Sequence, residues 1–422
     1  MKTHRYSPHS DKPFFFLFFF QDDFEFRSKP FAAGPVYLSR IDSFEKLTRG
    51  EDVKSVYMLN LCTKDVDCEF LPGDTLAILP RNDENEVDSL LFRLNVDSVS
   101  DNRYCLVDDC EKPFNIPKHV PREGTLRNVF MSHINIRSML KKVFLKKLLF
   151  YTTDCEERRV LEDCASANSK QYELLISECP TLLHILDRFP SCSPPIELIL
   201  HYSSPLLPRY FSIASSPLQK DTLSIIFSVV EFENSLKGVC TGWLEKLLNV
   251  QQSKVPFYFR KPTGFRMDSP EESRVLIAAG TGIAPFLGFL RHKSLLEKPK
   301  KLGGTYLYYG CRYKEGDFLC AEELRKYVSN GILAALYPAF SRESTSKCYV
   351  QNELSKGRDM LVDLILNDGA LVYVCGNKSV AKDVKETLVE CFAEHLRVDV
   401  ADAAKIIGSL IKEKKYLVDT WL

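Results

Sequence analysis

The last third of the chain alternates apolar strand-like runs with helical segments, and this order limits the folds open to it. Arg274-Val275-Leu276-Ile277-Ala278-Ala279 reads as an apolar strand and ends on Gly280-Thr281-Gly282. A helix is expected near Ala284 to His292, then a strand at Thr305 to Arg312 and a helix at Phe318 to Val328. A strand near Leu333 to Ser341 precedes a helix around Gln351 to Leu366. A strand at Ala370 to Cys375, a helix at Val380 to Leu396 and a final helix ending near Tyr416 complete the series. Repetition of this kind predicts right-handed crossovers and a doubly wound parallel sheet, an α/β architecture.

The earlier part follows another plan. Short strand-like runs occur at Ser55 to Leu61, Thr75 to Leu79, Tyr210 to Ala214, Leu223 to Glu231 and Val255 to Arg260. Turn signals at Pro72-Gly73, Pro208, Pro262 and Gly264 suit an antiparallel β-barrel. Between Glu84 and Arg188 the pattern is mostly helical, as at Ile136 to Tyr151 and Tyr172 to Leu186, so a helical insertion interrupts the barrel. The boundaries expected are an untypical N-terminal segment over 1–28, a barrel domain over 29–270 with its insertion at about 81–195, and the parallel-sheet domain over 271–422.

Composition narrows the function classes. Lys+Arg and Asp+Glu both number 56, and this balance argues against a nucleic-acid binder, which needs a basic excess against phosphates. The 14 cysteines contain no CxxC pair, which argues against structural zinc and fits free thiols in a reducing, cytoplasmic setting. The most apolar run, Phe14 to Phe20, is far shorter than the roughly 20 residues of a membrane-spanning helix, so no membrane anchor is expected. Lys2, Arg5 and Lys12 precede it as in a signal peptide, but Gln21-Asp22-Asp23 follows with no small-residue cleavage site.

Ligands of an open parallel sheet lie beyond the carboxyl ends of its strands. Here those ends carry Gly280-Thr281-Gly282, Gly310-Cys311-Arg312, Ser341-Arg342 and Cys375-Gly376. Glycines let the backbone approach a pyrophosphate, and the following helix offers N–H donors. Ser341, Arg342, Lys347 and Tyr349 supply cations and hydroxyls suited to a 2′-phosphate rather than a bare ribose diol. In the barrel, Gly238-Val239-Cys240-Thr241 precedes the largely apolar helix from Trp243 to Leu248, another anion-binding arrangement. Arg209 suits a phosphate, while Phe211 and Ser212 suit a flat heteroaromatic ring. Taken singly, each feature also reads as plain structure: a tight turn, a solvated loop, an N-cap or a strand hydroxyl.

Together they carry a resemblance. Arg209-Tyr210-Phe211-Ser212-Ile213-Ala214-Ser215-Ser216 resembles the flavin-binding strand of the ferredoxin–NADP reductase-like module of diflavin reductases. Gly238 to Thr241, with Val229 and Val230 before them, resembles that family's pyrophosphate site, and Gly280 to Phe286 its nicotinamide-nucleotide loop. Ser341-Arg342 with Lys347 to Gln351 resembles its 2′-phosphate site, with Arg312 on the same rim. Tyr373-Val374-Cys375-Gly376 and the tail Asp419-Thr420-Trp421 complete the set. Phe189-Pro190-Ser191-Cys192 with Pro194-Pro195, and Val230-Glu231-Phe232 leading to Lys237 through Leu244, are similar to the methionine synthase reductase branch.

The resemblance implies FAD and NADPH as cofactors, with hydride passing from one to the other. It implies that Ser212 bonds near the flavin's reacting nitrogen, Cys375 lies against the nicotinamide, Asp419 stabilises its developing charge and Trp421 covers the flavin ring. Electrons would leave through an FMN-binding flavodoxin-like module towards the cobalamin of methionine synthase. A stand-alone reductase serving a separate flavodoxin or haemoprotein, and a non-catalytic nucleotide-binding protein, are the rival readings. The chain departs from the family at Phe211, where a tyrosine is usual, and at Asn377, where an aspartate is usual. Only about 28 residues precede Lys29-Pro30-Phe31-Ala32-Ala33, so the FMN domain is expected to lie outside this sequence. Lys141-Lys142-Val143-Phe144-Leu145-Lys146-Lys147 offers either a dock for that acidic module or a helix with solvated lysines over an apolar face.

Overall fold

The computed structural model describes residues 16–20, 32, 34–64, 69–107, 117–178, 180–232, 235–260, 264–296 and 302–421. Most of the N-terminal segment 1–28, most of the Lys29 to Ala33 motif and the turn at Pro262 lie outside these residues. The chain divides into two compact units, 1–32 with 79–209, and 33–78 with 210–422.

In chain order, Phe16–Phe20 forms strand β1, followed by β2 (Tyr37–Lys46), β3 (Val56–Cys62) and β4 (Thr75–Ile78). The helical stretch after β4 contains two short strands, β5 (Arg103–Val107) and β6 (Glu123–Thr125). Then come β7 (Arg209–Ser212), β8 (Thr222–Ser228) and β9 (Lys254–Phe259). The last third supplies β10 (Arg274–Ala279), β11 (Thr305–Cys311), β12 (Ala335–Phe340), β13 (Leu371–Asn377) and β14 (Tyr416–Trp421).

The first unit packs short helices around a core that includes Leu90, Phe130, Leu145, Leu186 and Ile199, with a small β1-β5-β6 sheet. The Lys-rich segment is the helix Lys142–Leu148, whose Phe144, Leu145 and Leu148 are buried while Lys141 and Lys146 stay exposed. Lys142 donates to the carbonyls of Ser166 and Ala167, both at 2.8 Å, and covers the Tyr172 ring.

The second unit carries two sheets. The antiparallel one has strand order β7-β4-β9-β2-β3-β8. It is not a closed barrel: among the described residues beyond β7, a single bridge, Ile213 to Ile225, reaches the opposite edge strand. The parallel sheet has order β12-β11-β10-β13-β14, with every pair parallel. Alternate residues of its strands feed opposite layers, Val275, Ile277, Val372 and Val374 on one side and Leu276, Ala278, Tyr373 and Cys375 on the other. The second layer also contains Val56, Met58, Ala214 and Ile226, so the antiparallel sheet shares its core. Phe265, Phe286, Phe289 and Tyr373 pack there, stacked, tilted or edge-on, with ring centroids 5.2–6.2 Å apart, each contact adding about 0.5–1.5 kcal/mol beyond area burial.

Two expectations are corrected. The chain's end is not helical to Tyr416: the helix Val400–Lys412 stops, and Tyr416–Trp421 joins the sheet beside β13. The single helix expected over Gln351 to Leu366 is two, Val350–Lys356 and Arg358–Leu366, parted at Gly357. A Cβ there would stand 3.2 Å from the Tyr308 hydroxyl, so a side chain at the junction would be tight.

Asp74 joins the sheets. Its carboxylate accepts two bonds from Arg266, at 2.6 and 2.8 Å, and one from the Leu71 amide at 2.9 Å. Its carbonyl accepts from Ile213 N, while the Arg266 carbonyl accepts from the Tyr373 hydroxyl at 2.7 Å. The Asp74 side chain is only 6% exposed, against 24% for Arg266. Truncating one partner of such a pair strands the other, and the partial exposure of Arg266 discounts that cost to about 2–3 kcal/mol. Asp74→Ala should lower stability by this amount in urea unfolding, and an unchanged midpoint would show that the pair is not holding the sheets.

Candidate active site

The site follows from the order of the parallel sheet. The chain lays β11 and β12 on one side of β10, then crosses to place β13 and β14 on the other. Loops leaving β10 and β13 therefore diverge, which is where a doubly wound sheet opens a binding crevice. Gly280–Ile283, a short 3-10 turn, leaves β10, and Cys375-Gly376 lies near the end of β13. At its base the Gly280–Ile283 turn packs against β13: a Cβ on Gly282 would stand 2.2 Å from the Cys375 carbonyl oxygen. Gly280 adopts φ +55° with open space where its side chain would be, and Tyr309 donates to its carbonyl at 3.0 Å. The turn is thus held from beneath and bare above, as a phosphate requires.

The strand absent from the sequence reading completes the crevice. In the register of β13 and β14, Cys375 pairs with Asp419 and Asn377 with Trp421. Asp419 accepts a hydrogen bond from the Ser212 hydroxyl at 3.0 Å, across 207 residues of sequence. Ser212, Cys375 and Asp419 are thereby brought together from β7, β13 and β14. Cys375 is fully buried, and burial, reinforced by the Asp419 carboxylate, pushes its thiol well above the usual range, so it stays protonated at neutral pH. Trp421 is 40% exposed and makes no ring contact among the described residues. Asn377 caps the helix Lys378–Leu396 by accepting from the Val380 amide at 2.9 Å.

On the β7 side, the Phe211 ring stands edge-on to Phe227 at 6.5 Å, half-buried, while Tyr210 is exposed beneath the Arg260 guanidinium at 4.7 Å. Arg209 is exposed and donates to the Leu207 carbonyl. Gly238 caps the helix Val239–Leu248 without a side-chain bond, so the helix begins on bare backbone. A Cβ on Gly238 would press on Val230 at 3.0 Å and Thr241 Oγ1 at 3.1 Å. Thr241 Oγ1 accepts from the Val230 amide at 3.1 Å and retains its own proton to donate. Val229 and Cys240 are buried in the core below, whereas Val239 is half-buried at the helix start.

Beyond β11 and β12 the ladder continues, with Ser341 N bonded to the Cys311 carbonyl and Arg342 N to the Arg312 carbonyl, both at 2.9 Å. This sets Ser341 and Arg342 beside Arg312, whose guanidinium donates to the Asp52 carbonyl at 3.1 Å. Arg342, Lys347 and Tyr349 are exposed around one loop, and neither Arg342 nor Lys347 makes an ion pair among the described residues. Gln351 reaches Asp383 at 3.4 Å. Two uncommitted cations beside hydroxyls fit the phosphate of NADPH, and the glycine-capped helix and bare Gly280 turn fit the pyrophosphates of FAD and NADPH. Sequence reasoning missed Asp74, Arg266 and Tyr373 as braces of this site; no local pattern announces them, because their partners are more than a hundred residues away.

The family model described as FAD binding domain matches residues 29–243, and that described as Oxidoreductase NAD-binding domain matches residues 276–386. The chain is 33% identical to methionine synthase reductase of Homo sapiens over 429 residues, covering 92% of this chain and 62% of that protein. It is 31% identical to NADPH–cytochrome P450 reductase of Cavia porcellus over 416 residues, covering 94% of this chain and 60% of that protein. The chain therefore spans about three-fifths of the length of these relatives. No helix among the described residues is long and apolar enough to cross a membrane.

One outcome tests the crevice directly. Gly282→Ala must part the β10 and β13 loops, so NADP⁺ binding measured by calorimetry should weaken at least about tenfold while FAD is retained. Wild-type affinity would place the nucleotide elsewhere. The two family-model matches, with the likeness to these reductases over 92–94% of this chain, show that the chain belongs to the diflavin reductase family and corresponds to its FAD/NADP half.

Proposed function

We propose that this chain takes hydride from NADPH onto FAD and delivers the electrons, through an FMN-binding module on the same or a separate chain, to the cobalamin of methionine synthase in the cytoplasm. Residues 29–270, with the insertion at about 81–195, would carry FAD, and 271–422 NADPH. The observation that carries the hydride step is the Ser212–Asp419 bond beside the buried Cys375 thiol. FAD, when bound, supplies the capacity to accept a hydride and release electrons singly. The protein's part is to bind, align and exclude water.

In this reading Arg209, Tyr210 and Phe211 hold the flavin with Val229, Val230 and the Gly238 to Thr241 helix start. Ser212 keeps a hydroxyl at the flavin's reacting edge, oriented by Asp419. With a nicotinamide bound, the carboxylate would stabilise the positive charge that giving up hydride develops, an electrostatic effect that is strong where water is excluded. Cys375, held neutral, offers a packing surface to that ring without a competing charge. Trp421, on the strand end beyond Asp419, serves as the movable cover of the flavin. Gly280, Thr281 and Gly282 receive the pyrophosphate. Ser341, Arg342, Lys347, Tyr349 and Gln351 receive the 2′-phosphate end, with Arg312 beside them.

The acceptor is proposed from likeness: methionine synthase reductases are 32–33% identical to this chain, and its Phe189 to Pro195 segment resembles that branch. The 31% identity to P450 reductase supports a haemoprotein acceptor as the second reading. Reactivation of methionine synthase by this chain together with an FMN domain, set against reduction of a P450 under the same conditions, separates the two.

Cofactor choice has its own test. A charge-assisted hydrogen bond contributes about 1.5–3 kcal/mol, so losing one costs roughly tenfold or more in affinity. Arg342→Ala should weaken NADPH by that factor in steady-state KM and leave NADH nearly unchanged. Equal losses for both coenzymes would assign Arg342 another role.

A further inference from the structure

We infer that Gly288 and Arg291 are positioning residues that fix the distance between the nicotinamide-nucleotide loop and the flavin strand; this rests on the hydride-transfer reading above. The helix Ala284–Leu295 begins where the Gly280–Ile283 turn ends, and its residues 284–290 are all buried. One turn in, Gly288 lies against the continuation of β7: a Cβ there would stand 2.8 Å from the Ile213 carbonyl oxygen and 3.4 Å from that of Ser215. Ile213 directly follows Ser212. Only a residue without a side chain allows this backbone-to-backbone approach.

Arg291, three residues further along, locks the contact. Its Nη1 donates to the Ala214 carbonyl at 2.9 Å, and its Nε and Nη2 both bond Glu323 at 2.8 Å. Glu323 also accepts from the Tyr327 hydroxyl at 2.8 Å, and the Arg291 side chain is only 12% exposed. Ser216 Oγ meets His292 Nδ1 at 3.0 Å on the same line of contact. Carbonyls of three consecutive residues after Ser212 thus face a helix whose other end carries the nucleotide loop. About four residues, or roughly 6 Å of helix, separate Ala284 from Gly288. A shift at Gly288 therefore reaches the loop almost undiminished. Reacting atoms must meet at about 3–3.5 Å, and displacement by about 1 Å can cost up to a hundredfold in rate.

The test uses the full chain loaded with FAD. For Gly288→Ala, flavin reduction by NADPH in stopped flow should slow by about tenfold or more. FAD content and the NADP⁺ dissociation constant should stay at wild-type values, and the change in the flavin spectrum on adding NADP⁺, which reports ring proximity without turnover, should shrink. A purely structural role would lower the melting temperature and FAD content but leave the rate per bound FAD and the spectral change intact, and that result overturns the inference. If Gly288→Ala does not fold, Arg291→Lys, which keeps the charge but loses the fork to Glu323, is read in the same way: a slowed rate with unchanged NADP⁺ affinity supports the inference, and a wild-type rate overturns it. A wild-type chain that binds both cofactors but fails to reduce its flavin refutes the hydride reading instead, and the spectral change then still decides on position.

Discussion

A single hydrogen bond, from the Ser212 hydroxyl to the Asp419 carboxylate, is the constraint on which the rest of the site depends. Its donor sits on the edge strand of the antiparallel sheet and its acceptor on the edge strand of the parallel one. Neither sheet alone defines a place for a two-ring reaction. The bond requires β14 to pair with β13 in a register that puts Asp419 beside Cys375. That register buries Tyr416 and leaves Trp421 at the rim, 40% exposed. Position and charge at the crevice thus follow from how the last six strand residues enter the sheet.

The supports behind that bond are of two kinds. Glycines permit backbone contact: Gly282 on Cys375, Gly288 on Ile213, and Gly73, at φ +98°, where a Cβ would lie 2.1 Å from the Phe265 carbonyl oxygen. Buried or half-buried ion pairs fix direction: Asp74 with Arg266, and Glu323 with Arg291. Glycine contacts set distance but tolerate rotation, whereas forked carboxylate–guanidinium bonds restrict rotation. Together they fix the backbone of the second unit on both sides of the Ser212–Asp419 bond, the kind of positioning that alignment of two planar cofactors demands.

Much of this was legible in the sequence, for identifiable reasons. Strands β10 and β13 are buried on both faces and so read as unbroken apolar runs, each closed by a glycine. The glycine turns at Gly238 and Gly280, proposed here to receive phosphates, were legible because a turn glycine before a helix is a local pattern. Other elements were hidden. Tyr-Leu-Ser-Arg-Ile-Asp-Ser-Phe-Glu-Lys of β2 is mostly exposed and polar, so no alternation announced it. Strand β14 follows a Lys-rich helix end and has few buried residues, and only its partner makes it a strand. The incomplete closure of the antiparallel sheet depends on one bridge at Ile213. The Asp74–Arg266 brace spans 192 residues, a distance over which charge complementarity leaves no trace in spacing.

A double-mutant cycle on Ser212→Ala and Asp419→Ala, read as the rate of flavin reduction by NADPH with FAD content as the control, tests the central claim most directly. Residues that act through one hydrogen bond should not be additive. The double variant should be slowed little more than the slower single variant, a coupling of about 1–2 kcal/mol. Strictly additive losses would mean that the two residues act apart, and that the bond joining the sheets does not organise the reaction.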